Sequence, residues 1–454
     1  MTDLHEQLTR LADRSTADAA APDPDGAWSR GRSRQRAQRL SAVAVAAALV
    51  VAGVLAAAPW QRAEREIAPA GASDALRLPD AFHDVSPWLP ATEEPIGPLS
   101  AVLGGYRGDW TGGGTNGIVG VSSTTGEYAF LDLPGWDDGG ASLGGSDVAL
   151  SPDGRHLAWW SLGSPSGEPN TTTGGPFTGF AVLDTSTGDV ERVAIETEHG
   201  INPSSIVWGA DVLWLEWSQL QDVRGGYGVG SGVQTWRVGD TEPTAYDGRQ
   251  PLLFDTTATG GLLVESTGGR QVDLVSPEGS RRVQVDQRLE GPAALNPAGD
   301  LLAVTLDPDR AAMVSDEPRS VAVAEVEADA GTDTGTDGAT LRTLTTPEDG
   351  LEAVEVVGWR DDEHLVVLAR RDGVPGAVYV SVDASTGETE PLVQGSPTSY
   401  APGVVVAEDA WQGVLFDAPE PPSPMDPRLQ WGLVAGVLLL GGLALVVGRR
   451  RARV

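Results

Sequence analysis

The chain lacks cysteine and lysine altogether, and it has only three methionines and five histidines among 454 residues. Without cysteine it has no disulfide, no thiol nucleophile and no thiolate-bound zinc. Without lysine it has neither a P-loop lysine nor a Schiff base. All 31 Lys/Arg positions are arginine, and together with the abundant alanine and glycine this indicates a GC-rich bacterial genome of the actinobacterial kind. Stability must therefore come from core burial alone, for which the length is ample.

Negative charge dominates the chain, which has a formal net charge of −33. Residues 1–39 hold seven arginines and six acids, and residues 449–454 hold four arginines and no acid. Residues 59–430 keep the other 20 arginines and 58 acids, a net charge of −38. A surface of that sign repels nucleic acid and anionic lipid headgroups. It is compatible with a cationic partner and also with simple solubility, and the sequence leaves both open.

Two uncharged apolar runs, residues 40–58 and 431–448, lie near the ends of the chain. At about 1.5 Å per residue each reaches roughly 27–28 Å, which is about one hydrocarbon core. Arginines flank both runs on the outer side: Arg30, Arg32, Arg34, Arg36, Arg39, Arg449, Arg450, Arg451 and Arg453. Positive flanks stay in the cytoplasm, so both termini are expected inside the cell and residues 59–430 outside it. A cleaved signal peptide is the alternative for the first run, but a 39-residue acid-containing leader favours an uncleaved anchor.

The runs divide the chain into seven predicted segments. Residues 1–39 form a basic cytoplasmic arm with a short helix, 40–58 a transmembrane helix, and 59–95 a Pro/Ala-rich linker. Residues 96–417 form the extracytoplasmic domain and 418–430 a stiff Pro-rich spacer. Residues 431–448 form the second transmembrane helix, and 449–454 a basic cytoplasmic tail.

Short apolar strands separated by Gly, Asp and Pro recur throughout residues 96–417, which is typical of an all-β domain. In the clearest unit, Ser151, Pro152, Asp153 and Gly154 form a turn between two strands, where proline fixes φ and glycine tolerates positive φ. A degenerate copy has Asn296, Pro297 and Gly299, and a further one has Asp361 and Asp362. Seven tryptophans on or beside these strands are expected to fill cores, with a sugar-binding platform as the alternative: Trp159, Trp160, Trp208, Trp214, Trp217, Trp236 and Trp359.

These repeats resemble TolB-type and WD-type β-propellers, whose blades often open with a Ser-Pro-Asp-Gly turn like the one at residues 151–154. The resemblance covers roughly residues 96–417. It implies an all-β propeller of about seven four-stranded blades, with six or eight as alternatives, flanked by one transmembrane helix at each end. The count of seven comes from six units that start near residues 150, 206, 253, 294, 356 and 404 and from an N-terminal unit near residues 100–133. Such propellers often complete one blade with strands from both chain ends, an arrangement that suits two flanking anchors.

No catalytic or cofactor site is predicted. A GxSxG match at residues 140–144 has glycine-rich, loop-like flanks instead of the strand and helix of a nucleophile elbow. The histidines show no metal-ligand spacing, and His156 and His364 follow equivalent turns, which favours packing. The expected function is a membrane-anchored binding or scaffolding module for an extracytoplasmic protein or polymer, without nucleic acid. The alternatives are a sensor that signals through residues 1–39 to a cytoplasmic partner, in the manner of sigma-factor regulators, and an extracytoplasmic hydrolase or lyase.

Overall fold

The structure is a computed structural model of the whole chain. It describes residues 75–92, 95–137, 147–170, 175–224, 227–248, 253, 256–259, 262–266, 269–277, 279–289, 291–306, 320–326, 336–344, 351–371, 376–395 and 404–451, with residues 7 and 9. Two compact units are present: Ile67–Ser423 is one, and Met1–Glu66 with Pro424–Val454 is the other. The first contains all the strands described below.

Most of the described strands form six blades of four strands each, which we call blades one to six. The pairing of Ile201 with Phe177 joins blades two and three into one eight-stranded sheet. Blade one consists of β3 (Leu99–Gly108), β4 (Gly114–Ser122), β5 (Tyr128–Leu131) and the late strand β27 (Val404–Val406). Blade two consists of β6 (Val148–Leu150), β7 (His156–Leu162), β8 (Phe177–Asp184) and β9 (Val190–Ala194). Blade three consists of β10 (Ile201–Gly209), β11 (Val212–Leu220), β12 (Tyr227–Trp236) and β13 (Thr244–Ala245).

The second half of the unit repeats this plan. Blade four consists of β14 (Thr256–Thr259), β15 (Leu262–Ser266), β16 (Gln271–Ser276) and β17 (Gly279–Val285), with β21 (Thr336–Ala339) added in parallel to β17. Blade five consists of β18 (Ala293–Leu295), β19 (Leu301–Leu306), β20 (Ser320–Glu325) and β22 (Arg342–Thr343). Blade six consists of β23 (Leu351–Trp359), β24 (His364–Arg371), β25 (Ala377–Asp383) and β26 (Thr389–Gln394). The four main strands of each blade are antiparallel to their neighbours, whereas the added β21 is parallel to β17.

Apolar cores lie between successive blades because alternate residues of a strand point to opposite faces of its sheet. In β7, Leu157 and Trp159 belong to the core shared by blades six, one and two, whereas Ala158 and Trp160 belong to the core between blades two and three. Three more clusters fill the interfaces between blades three and four, four and five, and five and six. The seven tryptophans predicted to fill cores are all buried, as expected.

The ring is closed by the two ends of the unit. Strand β27 pairs antiparallel with β3, so that Val404 lies opposite Leu103 and Val406 opposite Ala101. A second pairing joins β1 (Arg77–Pro79) in parallel to β28 (Val414–Phe416), and the Arg77 guanidinium lies 4.2 Å from the centre of the Phe416 ring. The expectation that both chain ends complete one blade is confirmed, and the chain enters and leaves this unit through adjacent strands.

The part of the chain that the structure describes forms six blades, which is one of the two alternatives to the predicted seven. The unit predicted near residues 100–133 and the one predicted to start near 404 are a single blade, because β27 supplies its first strand. Two sequence signals were therefore counted for one sheet.

The predicted linker at residues 59–95 is too long. Residues 75–92 contain β1 and β2 (Ala91–Thr92), and β2 pairs in parallel with β5. Leu78 and Phe82 are each only 1% exposed in the core of blades six, one and two. Burial of these side chains fixes a segment whose prolines suggested a spacer.

Two helices are described near the C-terminus: α1 (Glu408–Trp411), which follows β27, and α2 (Pro427–Arg451). Helix α2 starts four residues before the predicted span 431–448, because Pro427 suits a first helical turn and the Asp426 carboxylate accepts the Arg428 backbone N–H at 2.8 Å. Within the residues described, which omit the side chains at 444, 445, 448 and 449, no helix is long and apolar enough to cross a membrane. The predicted helix at 40–58 and the signalling arm at 1–39 lie outside the described residues, apart from 7 and 9.

Candidate functional site

The turn at residues 151–154 is held by its own side chains. The Ser151 hydroxyl donates to the Asp153 carboxylate at 2.6 Å and accepts the His156 backbone N–H at 2.9 Å. Gly154 has φ of +66°, and its carbonyl accepts the Leu99 N–H of blade one at 2.8 Å. A Cβ at Gly154 would collide with the Leu99 backbone, so this turn needs glycine both for its conformation and for the close approach of β3.

The turn of blade five repeats this pattern with different atoms. The Asn296 side-chain oxygen accepts the Leu301 N–H at 2.9 Å, five residues on, as Ser151 does for His156. Gly299 has φ of +77°. The Asp362 carboxylate of blade six accepts the Ala298 N–H at 2.9 Å and thereby joins the turns of two blades.

Asp361 holds the turn of blade six. Its carboxylate accepts the backbone N–H groups of Glu363 and His364 at 2.9 and 2.8 Å, and it contacts His364 Nδ1 at 2.9 Å. Burial opposes ionisation of Asp361, but these hydrogen bonds outweigh it and lower the pKa of that carboxyl. His364 is therefore engaged within its own turn.

A cavity of about 620 Å³ lies where several of these turns converge. Blades two and five lie opposite each other in a six-membered ring, so a cavity lined by both is on the ring axis. We call it the axial pocket, and its lining residues come from blades two, three and five and from the segment after β27: Ser151, Pro152, Asp153, His156, Trp208, Ala210, Asp211, Arg237, Val238, Pro297, Glu408, Asp409 and Gln412.

The structure brings together some of the residues singled out from the sequence. Ser151, Pro152, Asp153 and Pro297 line the axial pocket, while Gly154, Asn296, Gly299, Asp361 and Asp362 support the turns behind it. Among the arginines predicted to set topology, Arg450 is exposed in α2, which also contains Arg449 and Arg451. Arg30, Arg32, Arg34, Arg36, Arg39 and Arg453 lie outside the described residues, as does the GxSxG match at 140–144.

Blade three contributes an unusual turn to the pocket. Gly209 pairs with Val212, which leaves only Ala210 and Asp211 to reverse the chain. Ala210 has φ of +54° and is the one residue other than glycine with positive φ in the part of the chain described. Alanine in this region costs about 1–2 kcal/mol, so strain is stored at the pocket rim.

Carboxylates dominate the charge of the pocket. Four acids line it against one guanidinium, that of Arg237, which lies 3.3 Å from Asp211. Asp153 has a distant contact of 3.9 Å with Arg155. Burial, and then the charge of Asp153, raise the pKa of Asp409.

An aromatic pair lies beside these carboxylates. The His156 and Trp208 rings are 5.8 Å apart and tilted by 38°. Trp208 is 3% exposed, and its Nε1–H has no hydrogen-bond partner among the residues described. Over those same residues, no group of three or more His, Asp or Glu side chains is arranged to hold a metal ion.

Sequence reasoning missed Trp208, Asp211, Arg237 and Asp409 as pocket residues. The repeat at residues 207–214 was recognised, and aligning it with the turn at 151–154 would have placed Asp211 at the same end of the ring. No local motif marks Arg237, which reaches the pocket from the loop after β12. Asp409 follows β27 and therefore reaches the pocket only through ring closure.

Solved structures with similar folds include several β-propeller proteins. One is a structure of two prolyl endopeptidases, with 14% identity over 68% of this chain and 43% of that chain and a TM-score of 0.38. Another is the β-propeller domain of the Trilobed protease from Pyrococcus furiosus, with 12% identity over 68% of this chain and 86% of that chain and a TM-score of 0.38. A third is the β-propeller domain of Cps50 (Swd1) from Myceliophteria thermophila, with 11% identity over 71% of this chain and 91% of that chain and a TM-score of 0.32. The chain thus spans less than half the length of the endopeptidase structure.

No curated protein sequence matches this chain. One family model does match part of it, and the match extends from blade four through β28. Residues 261–419 are similar to the family described as the lipoprotein LpqB β-propeller domain.

Proposed function

We propose that this protein is a non-enzymatic binding or scaffolding module, held at the outer side of the cell membrane, whose ligand enters the axial pocket. The observation that carries the proposal is the convergence of turns from separate blades on one cavity of about 620 Å³. A concave cavity of this size lies within the usual volume range of ligand sites, about 300–1,000 Å³. The ligand is an extracytoplasmic protein or polymer.

The bonding within the pocket favours binding over catalysis. The Ser151 hydroxyl donates a hydrogen bond to Asp153 and accepts one from the backbone of its own turn. The His156 ring packs against Trp208. A nucleophile needs a base within hydrogen-bond reach and a free path to substrate, and these groups are instead used to shape the rim.

Four observations support the membrane location. The uncharged runs at 40–58 and 431–448 have the length of a span. Six leucines of α2 are exposed, among them Leu439 at 75% and Leu440 at 68%. The β1–β28 pairing places the first and the last strand of this unit next to each other, which suits two anchors in one bilayer. The matched family is described as a lipoprotein domain, which agrees with an extracytoplasmic, membrane-associated place.

Site-specific photocrosslinking of the full chain in its native membranes tests this proposal. A benzoylphenylalanine at Val238, a 52% exposed residue of the pocket rim, is expected to give a discrete adduct. The matched control is the same substitution at Val414, a 70% exposed residue of β28 outside the pocket. The absence of any adduct at Val238, or turnover of esters, lactones or glycosides by the purified full chain, would contradict the proposal.

A further inference from the structure

The hairpin between β3 and β4 extends beyond the body of blade one. None of residues 104–117 is buried, whereas Leu103 and Ile118, just below them, are each 2% exposed. The two strands stay paired in this part, since Tyr106 lies opposite Asn116. Residues 104–117, which we call the blade-one tip, therefore form a projecting two-stranded ribbon with solvent on both faces.

Large aromatic side chains are exposed on the blade-one tip. Tyr106 is 49% exposed and Trp110 is 61% exposed. Among the residues described in the Ile67–Ser423 unit, only Val238 and Val414 join them as exposed large apolar side chains. Apolar residues that gather on one exposed surface mark a contact site, so the tip is a candidate for one.

The tip holds its shape without a partner. The Asp109 carboxylate accepts the Thr111 N–H at 2.7 Å, the Thr111 hydroxyl at 2.8 Å and the Gly113 N–H at 3.1 Å. These hydrogen bonds, that of the Thr111 hydroxyl foremost, lower the pKa of Asp109. Below the turn, the Pro87 carbonyl accepts the Gly108 N–H at 2.8 Å. Binding through this tip therefore costs little conformational freedom.

The exposed area is small for a protein partner. An aromatic side chain buries about 150–250 Å² in full, so the exposed parts of Tyr106 and Trp110 offer at most about 300 Å². A standard protein interface takes about 800 Å² from each partner. Seven of the 14 tip residues are glycine and add no side-chain area. A bilayer needs no matching pocket, and tryptophan and tyrosine are enriched where lipid headgroups meet the hydrocarbon.

The charge of the tip allows the same contact. Residues 59–430 have a net charge of −38, which keeps most of their surface away from anionic headgroups. The tip has one arginine and one acid, so its formal net charge is zero. The acid is Asp109, whose carboxylate is bonded within the turn, whereas the Arg107 side chain is exposed. An arginine can lay its stem along apolar surface and keep its guanidinium among lipid phosphates.

The tip and the axial pocket lie at opposite ends of the ring. Strand β3 starts at Leu99, which is bonded to Gly154 of the blade-two turn, and its ten residues then run about 30 Å to the tip. The chain leaves the ring at the pocket end, where Ala418 packs against Gly126 in the turn after β4. Residues 418–427 contain five prolines and reach about 30 Å when extended. An anchor that follows them therefore permits the tip to meet the same bilayer.

We propose that the blade-one tip docks on the lipid bilayer, with the Tyr106 and Trp110 rings in the headgroup region and the Arg107 guanidinium on lipid phosphates. The axial pocket then opens away from the membrane, toward its extracytoplasmic ligand. The inference rests on the proposed function, because the membrane anchors hold the tip at a high effective concentration near the bilayer and make a weak contact sufficient.

Quenching by spin-labelled lipid tests the inference, and the lack of cysteine allows labelling at a single site. The full chain with Thr115→Cys, an exposed position opposite Arg107, carries a nitrobenzoxadiazole fluorophore and is reconstituted in phosphatidylcholine vesicles. Phosphatidylcholine that is spin-labelled near its headgroup is expected to quench this fluorophore. The matched control carries the same label on Val238→Cys, at the rim of the axial pocket, and should stay unquenched.

Removal of one ring measures what holds the tip down. Trp110→Ala in the Thr115→Cys chain should lower the ratio of docked to undocked protein about tenfold, since burial of a large apolar side chain is worth at least that much. Val414→Ala, at an exposed apolar residue of β28 away from the tip, should leave the quenching unchanged. Both positions are exposed, so neither substitution alters the core.

Three results would overturn the inference: no quenching at Thr115→Cys in vesicles that hold the chain, equal quenching with and without Trp110→Ala, or quenching at Val238→Cys alone. The first would leave a protein partner as the ligand of the tip, and the last would place the pocket end on the bilayer. A crosslinked adduct at Val238 in native membranes, together with any of them, would keep the proposed binding function and remove only the docking. Failure of the chain to enter vesicles would remove both the docking and the membrane location.

Discussion

Replacing Gly154 and Gly299 by alanine separates the cost of a turn conformation from the cost of docking one blade on the next. Both glycines have positive φ, +66° and +77°, in turns with the same hydrogen-bond pattern. A Cβ at Gly154 would meet the Leu99 backbone, whereas a Cβ at Gly299 would have nothing within 4 Å. The two substitutions are chemically identical and differ in that one contact.

The expected losses follow from these environments. Gly299→Ala should lower the free energy of unfolding by about 1 kcal/mol, because alanine is strained in a left-handed conformation. Gly154→Ala adds the loss of the Leu99 N–H to Gly154 carbonyl hydrogen bond, at about 1 kcal/mol, and displacement of the start of β3. We expect a total of about 3 kcal/mol for Gly154→Ala.

Urea unfolding of the full chain, followed by tryptophan fluorescence, measures both losses because most of the predicted core tryptophans lie in the blade interfaces. Relative to the parent protein, Gly154→Ala should lower the urea concentration at the unfolding midpoint about three times as much as Gly299→Ala does. Equal midpoints would refute the argument that the blade-two turn is a docking surface for β3.

Three further substitutions test other parts of the structure. Ala210→Gly should raise the free energy of unfolding by about 0.5 kcal/mol by relieving a φ of +54°, and Ala298→Gly, in a turn without positive φ at that residue, should give no gain. Burial raises the pKa of Tyr128 to about 12, so its neutral form stabilises the fold below pH 10 and that contribution is lost as the pH rises through 12. Tyr128→Phe should therefore lose less stability than the parent between pH 10 and 12, and equal losses in urea titrations at those pH values would contradict this. Arg282 lies 2.8 Å from the fully buried carboxylate of Asp273, so Arg282→Ala should cost about 3 kcal/mol in the same assay, whereas Arg288→Ala, at an exposed site, should cost less than about 0.5 kcal/mol.

Local chemistry made the blades predictable. The turn at residues 151–154 can be recognised from the sequence because proline, aspartate and glycine each have a preferred position in such a turn. Its copy at 296–299 was also recognisable, although asparagine replaces serine as the residue that caps the turn. The tryptophans were expected in cores because strands with alternating apolar residues bury one face, and large aromatic side chains on that face fill the space between blades.

Ring closure was not predictable to the same degree. Strand β27 has only three residues, too few for any periodicity, and its partner β3 lies about 300 residues earlier in the chain. The count of blades depended on that pairing. The axial pocket depended on it too, since Asp409 follows β27 and lines the pocket only after the ends join. The segment at 75–92 was misjudged because its prolines are conspicuous, while its few core side chains are widely spaced.

Joining the chain ends in one blade is the central structural claim, and the absence of cysteine allows a direct test. Leu103 and Val404 lie opposite each other on β3 and β27, so Leu103→Cys with Val404→Cys places two thiols within bonding reach. The register control is Val102→Cys with Val404→Cys, whose side chains point to opposite faces of the sheet. Under mild oxidation of the full chain, thiol counting should show a disulfide in the first pair and two free thiols in the second. Two free thiols in the first pair would contradict the closed six-bladed ring.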